Sequence, residues 1–344
     1  MKQLLILVAI IFCSCNEAYQ PRNIESLTIK EFKMDSTSIR AIQIVNDTTV
    51  YYAGSRGDVG FTNNNGSSWS REYLLYKDSI VPHFRSLATN GIQFFALSIA
   101  NPALIYKISN DKTEIVYAEE HKKVFYDSMK FFADGKRGIA VGDPTEKCAS
   151  IILTSDGGNT WNKISCEKLP IFEEGEAFFA ASNTNITIIE DTVWIASGGK
   201  KARILKSIDK GKTWKIFDTP MTQGNGPQGI YSIDFYDKNN GIIIGGDYSK
   251  PNKNIANKAI TTDGGKTWTL IADGENPGYK SCVQYVPNTN GKEVFAVGKT
   301  GISFSNDGGN SWVEISKDSY YTIQFLDRNT AWLAGNNKIG KLIL

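Results

Sequence analysis

Histidine is scarce in this sequence of 344 residues, which contains only His83 and His121. Structural zinc sites use histidine and cysteine at short, regular spacings, and neither histidine has such neighbours. The glycine-rich stretches GGKKAR and QGNGPQG lack the strand–turn–helix setting of a dinucleotide-binding loop, and the sequence contains no P-loop and no GxSxG motif. We therefore expect neither a metal ion nor a cofactor.

An excess of charge of one sign is also lacking. The 38 basic residues are nearly balanced by 36 acidic residues, which gives a formal net charge of +2. Binding to nucleic acid requires a concentrated basic surface that neutralises phosphates. We therefore do not expect nucleic acid as a partner.

Long apolar runs are absent apart from Leu4–Phe12, which follows Lys2. This run is too short to cross a bilayer, which takes about 20 residues, but a charged start and a short apolar run are typical of a secretory signal. Its end, Cys13-Ser14-Cys15, resembles the lipobox of bacterial lipoproteins. We predict a signal peptide over residues 1–14, lipidation at Cys15 and a tether over 15–23. The protein would be membrane-anchored, in the periplasm or at the outer-membrane surface; the alternative is a cleaved signal and a secreted product.

Few cysteines remain after such processing, namely Cys148, Cys166 and Cys282. Cys148 and Cys166 lie at equal distances along the chain from Gly157, the centre of a turn described below. An antiparallel hairpin would place them opposite each other, so we predict a disulfide between them. Cys282 lies in an apolar stretch, and we expect it to be buried and unreactive.

The sequence does contain one short motif that is repeated several times. The pattern [Ser/Thr]-x-Asp-x-Gly-x-[Thr/Ser]-Trp occurs at 154–161, 207–214, 261–268 and 305–312, and a degenerate copy at 62–69 has Asn64 in place of the aspartate. Each copy lies between two short apolar strands, which predicts a β-hairpin whose turn is fixed by the aspartate and the glycine. The predicted structural residues are Asp156, Trp161, Asp209, Trp214, Asp263, Trp268, Asp307 and Trp312.

A second periodic feature lies upstream of the hairpins, where short strands carry a small residue at a matching position. These residues are Ala41, Ser86, Ser128, Ala177, Ser232, Ser281 and Thr322. Their spacing of 41 to 55 residues is typical of four-stranded propeller blades. We predict an all-β fold, a single monomeric seven-bladed β-propeller over residues 24–344, with a strand at 24–32 closing the ring.

The repeated turn resembles the Asp-box, or BNR, repeat of sialidase-like β-propellers, in which the box generally stabilises a turn and is not the active site. The seven-blade size and the DGG-x-[Thr/Ser]-Trp turns are most similar to propellers of the photosystem II assembly-factor type. Members of that family bind other proteins and carry out no known chemistry. The resemblance implies a non-catalytic scaffold or assembly partner in a cell envelope.

We expect the residue that directly precedes each of the seven small residues named above to lie at the mouth of the central channel. These residues are Arg40, Arg85, Asp127, Glu176, Tyr231, Lys280 and Tyr321. They differ from repeat to repeat, and positions that diversify within a repeat are where a binding site can be built. Arg40, Arg85 and Lys280 would form the contact patch for a protein partner. The alternative is a solvated channel lining held by ion pairs within the chain.

The alternative function is a sialidase-like glycoside hydrolase or a carbohydrate-binding propeller. Glu176, Tyr231 and Asp127 could supply the base, the nucleophile and the acid, and arginines could bind a sugar carboxylate. However, Arg40 is followed by Ala-Ile, whereas true sialidases typically have an Arg-Ile-Pro segment. We therefore favour a protein-binding scaffold over an enzyme, with a glycan as the second candidate ligand.

Overall fold

The computed structural model describes residues 19–109 and 111–344. The predicted signal peptide and Cys15 lie outside the described residues, and only residues 19–23 of the predicted tether are described. This part of the chain contains 28 β-strands and a single 3-10 helix of three residues, Cys166–Lys168. The prediction of an all-β fold is confirmed. None of the described residues belongs to a helix of the length and apolarity needed to cross a membrane.

The strands are numbered in chain order. They are β1 (Thr28–Ile44), β2 (Val50–Gly54), β3 (Asp58–Thr62), β4 (Ser70–Tyr73), β5 (His83–Thr89), β6 (Phe94–Ile99), β7 (Ala103–Ile108), β8 (Thr113–Glu119), β9 (Tyr126–Phe131), β10 (Gly138–Gly142), β11 (Ser150–Thr154), β12 (Asn162–Lys163), β13 (Glu176–Ala177), β14 (Ile186–Ile189), β15 (Thr192–Ala196), β16 (Gly198–Gly199), β17 (Arg203–Ser207), β18 (Lys215–Asp218), β19 (Gln228–Phe235), β20 (Gly241–Asp247), β21 (Lys258–Thr261), β22 (Thr269–Leu270), β23 (Cys282–Tyr285), β24 (Val294–Gly298), β25 (Gly301–Ser305), β26 (Val313–Ser316), β27 (Thr322–Phe325) and β28 (Thr330–Ile343).

Hydrogen bonds join these strands into six antiparallel sheets. Four sheets have four strands each, namely β5–β8, β9–β12, β14-β15-β17-β18 and β23–β26. The other two have six strands each, in the orders β27-β28-β1-β2-β3-β4 and β13-β16-β19-β20-β21-β22. The prediction of seven separate blades is therefore wrong. The reason is that β1 is continuous: residues 28–33 pair with β28 and residues 39–44 pair with β2, so the first and last repeats share one sheet.

The inner strands form a closed ring, which makes the fold a β-propeller. Strand β1 contacts β5, which contacts β9, and the series continues through β14, β19, β23 and β27 back to β1. The small residues Ala41, Ser86, Ser128 and Ser232 are fully buried on these strands. Small side chains let neighbouring inner strands approach closely.

One predicted inner strand is misplaced. Ala177 was expected in an inner strand, but it lies in β13, which has two residues and pairs with β16. The inner strand of that repeat is β14, which begins at Ile186. The physical reason is that the residues between them leave the sheet and cross the middle of the ring, as described below.

The repeated turn has the same hydrogen bonds in every intact copy. In the first, Thr160 donates its N–H to Asp156 Oδ1 at 3.0 Å and its hydroxyl to Oδ2 at 2.7 Å, and the Gly158 N–H donates to Thr154 Oγ1 at 3.0 Å. The Trp161 indole N–H donates to the Gly158 carbonyl at 3.2 Å. Equivalent bonds surround Asp209, Asp263 and Asp307. The tryptophans Trp214, Trp268 and Trp312 likewise donate to the carbonyl of the glycine three residues before them.

The degenerate copy keeps this geometry without a carboxylate. Asn64 Oδ1 accepts the Ser68 N–H at 2.9 Å and the Thr62 hydroxyl at 3.0 Å, and its Nδ2 donates to Ser68 Oγ at 2.8 Å. An amide oxygen therefore satisfies the same backbone donor as a carboxylate oxygen does in the other copies.

The three cysteines of the described chain differ in state. Cys148 and Cys166 form a disulfide with their Cα atoms 5.6 Å apart, joining the residues before β11 to the 3-10 helix. Cys282 is buried and unbonded in β23.

Candidate functional site

Residues 177–185, which we call the central segment, cross the middle of the ring. Ser182 donates its hydroxyl to the Ser281 carbonyl at 2.6 Å, and Thr322 donates to the Ser182 carbonyl at 3.1 Å. The Thr184 and Ser232 hydroxyls lie 2.7 Å apart. The segment is thus hydrogen-bonded to several inner strands at once.

The Asn183 side chain makes three hydrogen bonds to neighbouring strands. Its Oδ1 accepts the Ser86 hydroxyl at 2.7 Å and the Met129 N–H at 3.2 Å, and its Nδ2 donates to the Leu87 carbonyl at 2.9 Å. Its φ of 61° lies in the left-handed region, which asparagine tolerates better than most residues. One side chain therefore links the central segment to β5 and β9.

The central segment lines two cavities on its opposite sides. Residues Ser182, Asn183 and Thr184 line a cavity of 250 Å³, and residues 177–181 line one of 490 Å³. We call the larger cavity the mouth pocket. Its other lining residues are Arg40, Arg85, Phe125, Asp143, Tyr231, Tyr248, Tyr279, Ser281, Lys299 and Tyr321.

Two arginines form the charged part of the mouth pocket. Arg40 donates from Nη1 to the Ala181 carbonyl, and Arg85 from Nη1 to the Ala180 carbonyl, each at 3.0 Å. The Nε atoms of both are buried and have no hydrogen-bond partner among the described residues, and neither guanidinium has a carboxylate of that part of the chain within 4.0 Å. Burial, together with the charge of Arg40, lowers the pKa of Arg85 to about 10. Among the described residues, neither cation is in direct contact with a carboxylate, and Asp127 acts on Arg85 only from a longer distance.

β-Bulges position these arginines. The pairing of β1 with β2 shifts between Ile39 and Ala41, which leaves Arg40 as the unpaired residue, and that of β5 with β6 shifts in the same way around Arg85. Tyr231 in β19 is also at such a shift. A bulge turns the extra residue out of the sheet alternation, and here it lets arginine and tyrosine line the pocket.

Aromatic rings form the rest of the wall. The Arg40 guanidinium lies 3.9 Å from the centroid of the Tyr321 ring, and Tyr231 stacks on Phe179 with centroids 3.8 Å apart. Tyr279 packs edge-on against Tyr231 at 4.8 Å. Such a wall suits apolar or aromatic groups of a ligand beside a negatively charged group.

One carboxyl group lies in the mouth pocket. Asp143 accepts the Phe178 N–H at 2.7 Å, and burial raises its pKa to about 6. Around neutral pH it therefore adds negative charge to the pocket lining, and that charge is lost as the pH drops through 6.

Three predicted site residues do not reach the mouth pocket. Glu176 is buried and forms an ion pair with Arg203 at 2.5 Å. Lys280 is buried and donates to the Gly301 carbonyl at 2.8 Å. Asp127 is fully buried without a hydrogen-bond partner among the described residues; burial and nearby Asp143 raise its pKa well above the usual value. Only Arg40, Arg85, Tyr231 and Tyr321 of the predicted set line the pocket.

The sequence reasoning missed Phe179, Tyr279 and Lys299. Tyr279 is one residue before the predicted Lys280, and Lys299 is in the loop between β24 and β25, so neither occupies the position that was compared between repeats. Phe179 was missed because the central segment was interpreted as an inner strand.

Comparisons with known proteins support the fold. No protein-family model matches the sequence, and no curated protein sequence does. Among solved structures, YCF48 bound to D1 peptide is similar with a TM-score of 0.66 and 13% identity, over 94% of this chain and 100% of that chain. The RRP9 WD40 repeats match with a TM-score of 0.67 and 10% identity, over 94% and 100%. The GH74 enzyme of Niastella koreensis matches with a TM-score of 0.57 and 14% identity, over 89% and 43%. The shared fold is the β-propeller.

The geometry does not bring the predicted catalytic residues Glu176, Tyr231 and Asp127 together in the pocket. Tyr231 donates its hydroxyl to the Pro227 carbonyl at 2.8 Å, and burial raises its pKa, which opposes its use as a nucleophile. Glu176 is engaged by Arg203 outside the pocket lining. The described residues contain no group of three histidine, cysteine or acidic side chains placed to hold a metal ion.

Proposed function

We propose that this protein is a non-catalytic propeller that binds a protein partner through the mouth pocket. The observation that carries the proposal is the pair Arg40 and Arg85, two cations without a carboxylate partner beside a wall of aromatic rings. Desolvated charge is costly unless it is paired, so a ligand that brings a carboxylate is favoured. A peptide segment with an acidic group and an apolar or aromatic side chain supplies both features.

The fold supports this proposal by analogy alone. Propellers of this shape include YCF48, which has been solved with D1 peptide bound, and WD40 repeats such as those of RRP9. Identities of 10% to 13% show a common fold and transfer no partner. The partner of this chain is therefore proposed from the chemistry of its own pocket.

The proposal includes a location. We propose that the chain is exported, lipidated at Cys15 and held at a membrane as a monomeric assembly scaffold. The support is the apolar run Leu4–Phe12 followed by Cys13-Ser14-Cys15, together with the repeated-turn resemblance described above. Metabolic labelling with a fatty acid, compared between the wild type and Cys15→Ala, tests the anchor directly.

Affinity capture tests the binding site. The full-length tagged protein is cross-linked in its native membrane fraction and compared with Arg40→Gln/Arg85→Gln and with Lys253→Gln, which alters an exposed lysine outside the pocket. We expect a stoichiometric protein partner with the wild type and the control. We expect the double variant to lose about tenfold or more, since a hydrogen bond to a charged group contributes about 1.5–3 kcal/mol.

Two results would overturn the proposal. Equal capture by the double variant would remove the mouth pocket as the binding site. Turnover in a screen of glycans that Glu176→Gln abolishes, in a variant whose circular dichroism spectrum is unchanged, would establish the glycoside hydrolase instead.

A further inference from the structure

The N-terminal end of the described chain is held by hydrogen bonds to a buried glutamate. Glu293 is fully buried and accepts hydrogen bonds from the Tyr19 hydroxyl and from Arg22, whose backbone N and Nε each lie 2.9 Å from a carboxylate oxygen. Arg22 also donates to the Arg328 carbonyl at 2.8 Å and to Asn329 Oδ1 at 3.1 Å. Burial alone would raise the pKa of Glu293, but the hydrogen bonds from Arg22 and Tyr19 lower it below its usual value.

This attachment lies on the face of the ring that carries the repeated turns, which we call the turn face. Asn306, in the last repeated turn, donates to the Arg22 carbonyl at 3.2 Å. Glu293 directly precedes β24, whereas Lys299, just after the same strand, lines the mouth pocket. Six residues of extended strand cover about 20 Å, so the attachment and the mouth pocket are on opposite faces.

We propose that the turn face rests against a lipid bilayer and that the mouth pocket opens away from it. This inference rests on the proposed lipidation of Cys15. Tyr19 is four positions after Cys15 in the sequence, and an extended chain of that length covers at most about 14 Å. That reach is shorter than the distance between the two faces, so a lipid at Cys15 holds the turn face close to the membrane.

Exposed isoleucines on the turn face fit a lipid surface. Ile208 is 69% exposed and occupies the second position of a repeated turn, where other intact copies have Ser155, Thr262 and Asn306. Ile92 is 82% exposed in the loop between β5 and β6, and neighbouring Asn90 donates to the carbonyl of Gly157 in a repeated turn. Apolar side chains that enter the interface add to the affinity of an acyl anchor.

Charge does not add to this attraction. Two of the repeated turns carry both signs of charge, with Asp209 beside Lys210 and Lys212 and with Asp263 beside Lys266, and the other two intact copies carry only an aspartate. Attraction to anionic lipids requires a cluster of basic residues. Membrane attachment through this face is therefore expected to be insensitive to salt concentration.

Energy transfer to the membrane surface tests the orientation. The lipidated full-length protein is reconstituted into phosphatidylethanolamine–phosphatidylglycerol vesicles that carry an acceptor on the lipid headgroups. A donor is attached to Ile208→Cys or, as a matched control, to Ile255→Cys, another exposed isoleucine in the loop between β20 and β21 on the pocket side. Because the faces are about 20 Å apart, we expect transfer about twofold or more higher from position 208.

The possible outcomes test the proposed orientation and the proposed lipid anchor separately. Equal transfer, or higher transfer from position 255, in protein that is attached to vesicles would overturn the orientation and leave the anchor intact. Protein that floats free of vesicles would overturn both. In Arg22→Ala, which loosens the attachment to Glu293, we expect the difference between the two labels to shrink; an unchanged difference would show that this attachment does not set the orientation.

Discussion

The two faces of the ring use the same strands for different purposes. On the turn face, Asp156, Asp209, Asp263 and Asp307 make one set of hydrogen bonds four times over. On the pocket face, the strands present side chains that differ, such as Arg40 and Tyr231, and bulges turn them out of the sheet. Residues that are the same in every repeat are explained by their role in folding. Positions at which the residue differs from repeat to repeat are better explained by binding of a ligand.

This comparison predicts that removing a buried, unrepeated partner on the pocket face destabilises the fold more than breaking an exposed contact on the turn face. Arg203→Met would leave the Glu176 carboxylate buried without its cation, and we expect a loss of about 3–5 kcal/mol in the free energy of unfolding. The control, Lys238→Met, breaks an exposed pair with Glu190 on the turn face and should cost less than about 1 kcal/mol. Equal losses in urea titrations would contradict the comparison.

The central segment offers a second contrast, between two asparagines that are two residues apart. Asn183→Ala removes three hydrogen bonds at the axis, and we expect a loss of about 2–3 kcal/mol because the groups left behind are buried. The Asn185 side chain is buried without a partner among the described residues, so Asn185→Ala should cost less than about 1 kcal/mol or stabilise the fold. Thermal unfolding of both variants measures this difference. Similar losses of stability in the two variants would show that Asn183 has no special role in holding the central segment.

On the turn face, we expect the protein to remain folded when one repeated turn loses its aspartate. Asp263→Ala removes bonds to Thr267, and we expect a loss of about 1–2 kcal/mol at pH 7, whereas Asp263→Asn should lose less because Asn64 forms the same turn. Burial opposes the shift, but hydrogen bonds lower the pKa of Asp263 to about 2. Its stabilising effect is therefore full above the unfolded pKa of about 4 and is lost as the pH falls towards 2. Urea titrations at pH 7 and pH 2.5 should show the alanine variant converging on the wild type.

The smallest effect concerns binding at the mouth pocket. Because burial raises the pKa of Asp143 to about 6, the pocket gains negative charge as the pH rises through 6 and should bind an acidic partner less tightly. We expect capture of the partner to be about threefold weaker at pH 7.5 than at pH 5.5. Asp143→Asn should remove this dependence and behave like the wild type at low pH. A pH dependence that persists in that variant would assign it to another group.

Much of the turn face could be predicted from the sequence. The aspartate, glycine and tryptophan of each turn act within eight residues, so local chemistry determines the hairpin and repetition makes it visible. One long-range pairing was also predicted: residues 24–32 were expected to form the closing strand, and Thr28–Lys33 do pair with the C-terminal strand. The predicted number of sheets was wrong because no local signal shows that β1 pairs first with β28 and then continues to pair with β2.

The pocket face could be predicted only in part. Arg40, Arg85, Tyr231 and Tyr321 were found because they precede small residues on inner strands. Glu176 was misjudged because GEAFFA alternates like a strand, although it leads into the central segment. That path depends on contacts with Ser86, Leu87 and Met129, which are more than fifty residues away in the chain, and no periodic pattern encodes them.

The pairing of β1 with β28 also constrains how the chain is made. Thr28 lies opposite Ile343, so the first residues of β1 cannot pair until β28, at the far end of the described chain, has been synthesised. Contacts so distant in sequence are slow to form because the intervening chain must be brought together first. Until β28 has been synthesised, the nascent chain carries β1 with an unpaired edge, and a chaperone that covers this edge would protect it from aggregation during synthesis.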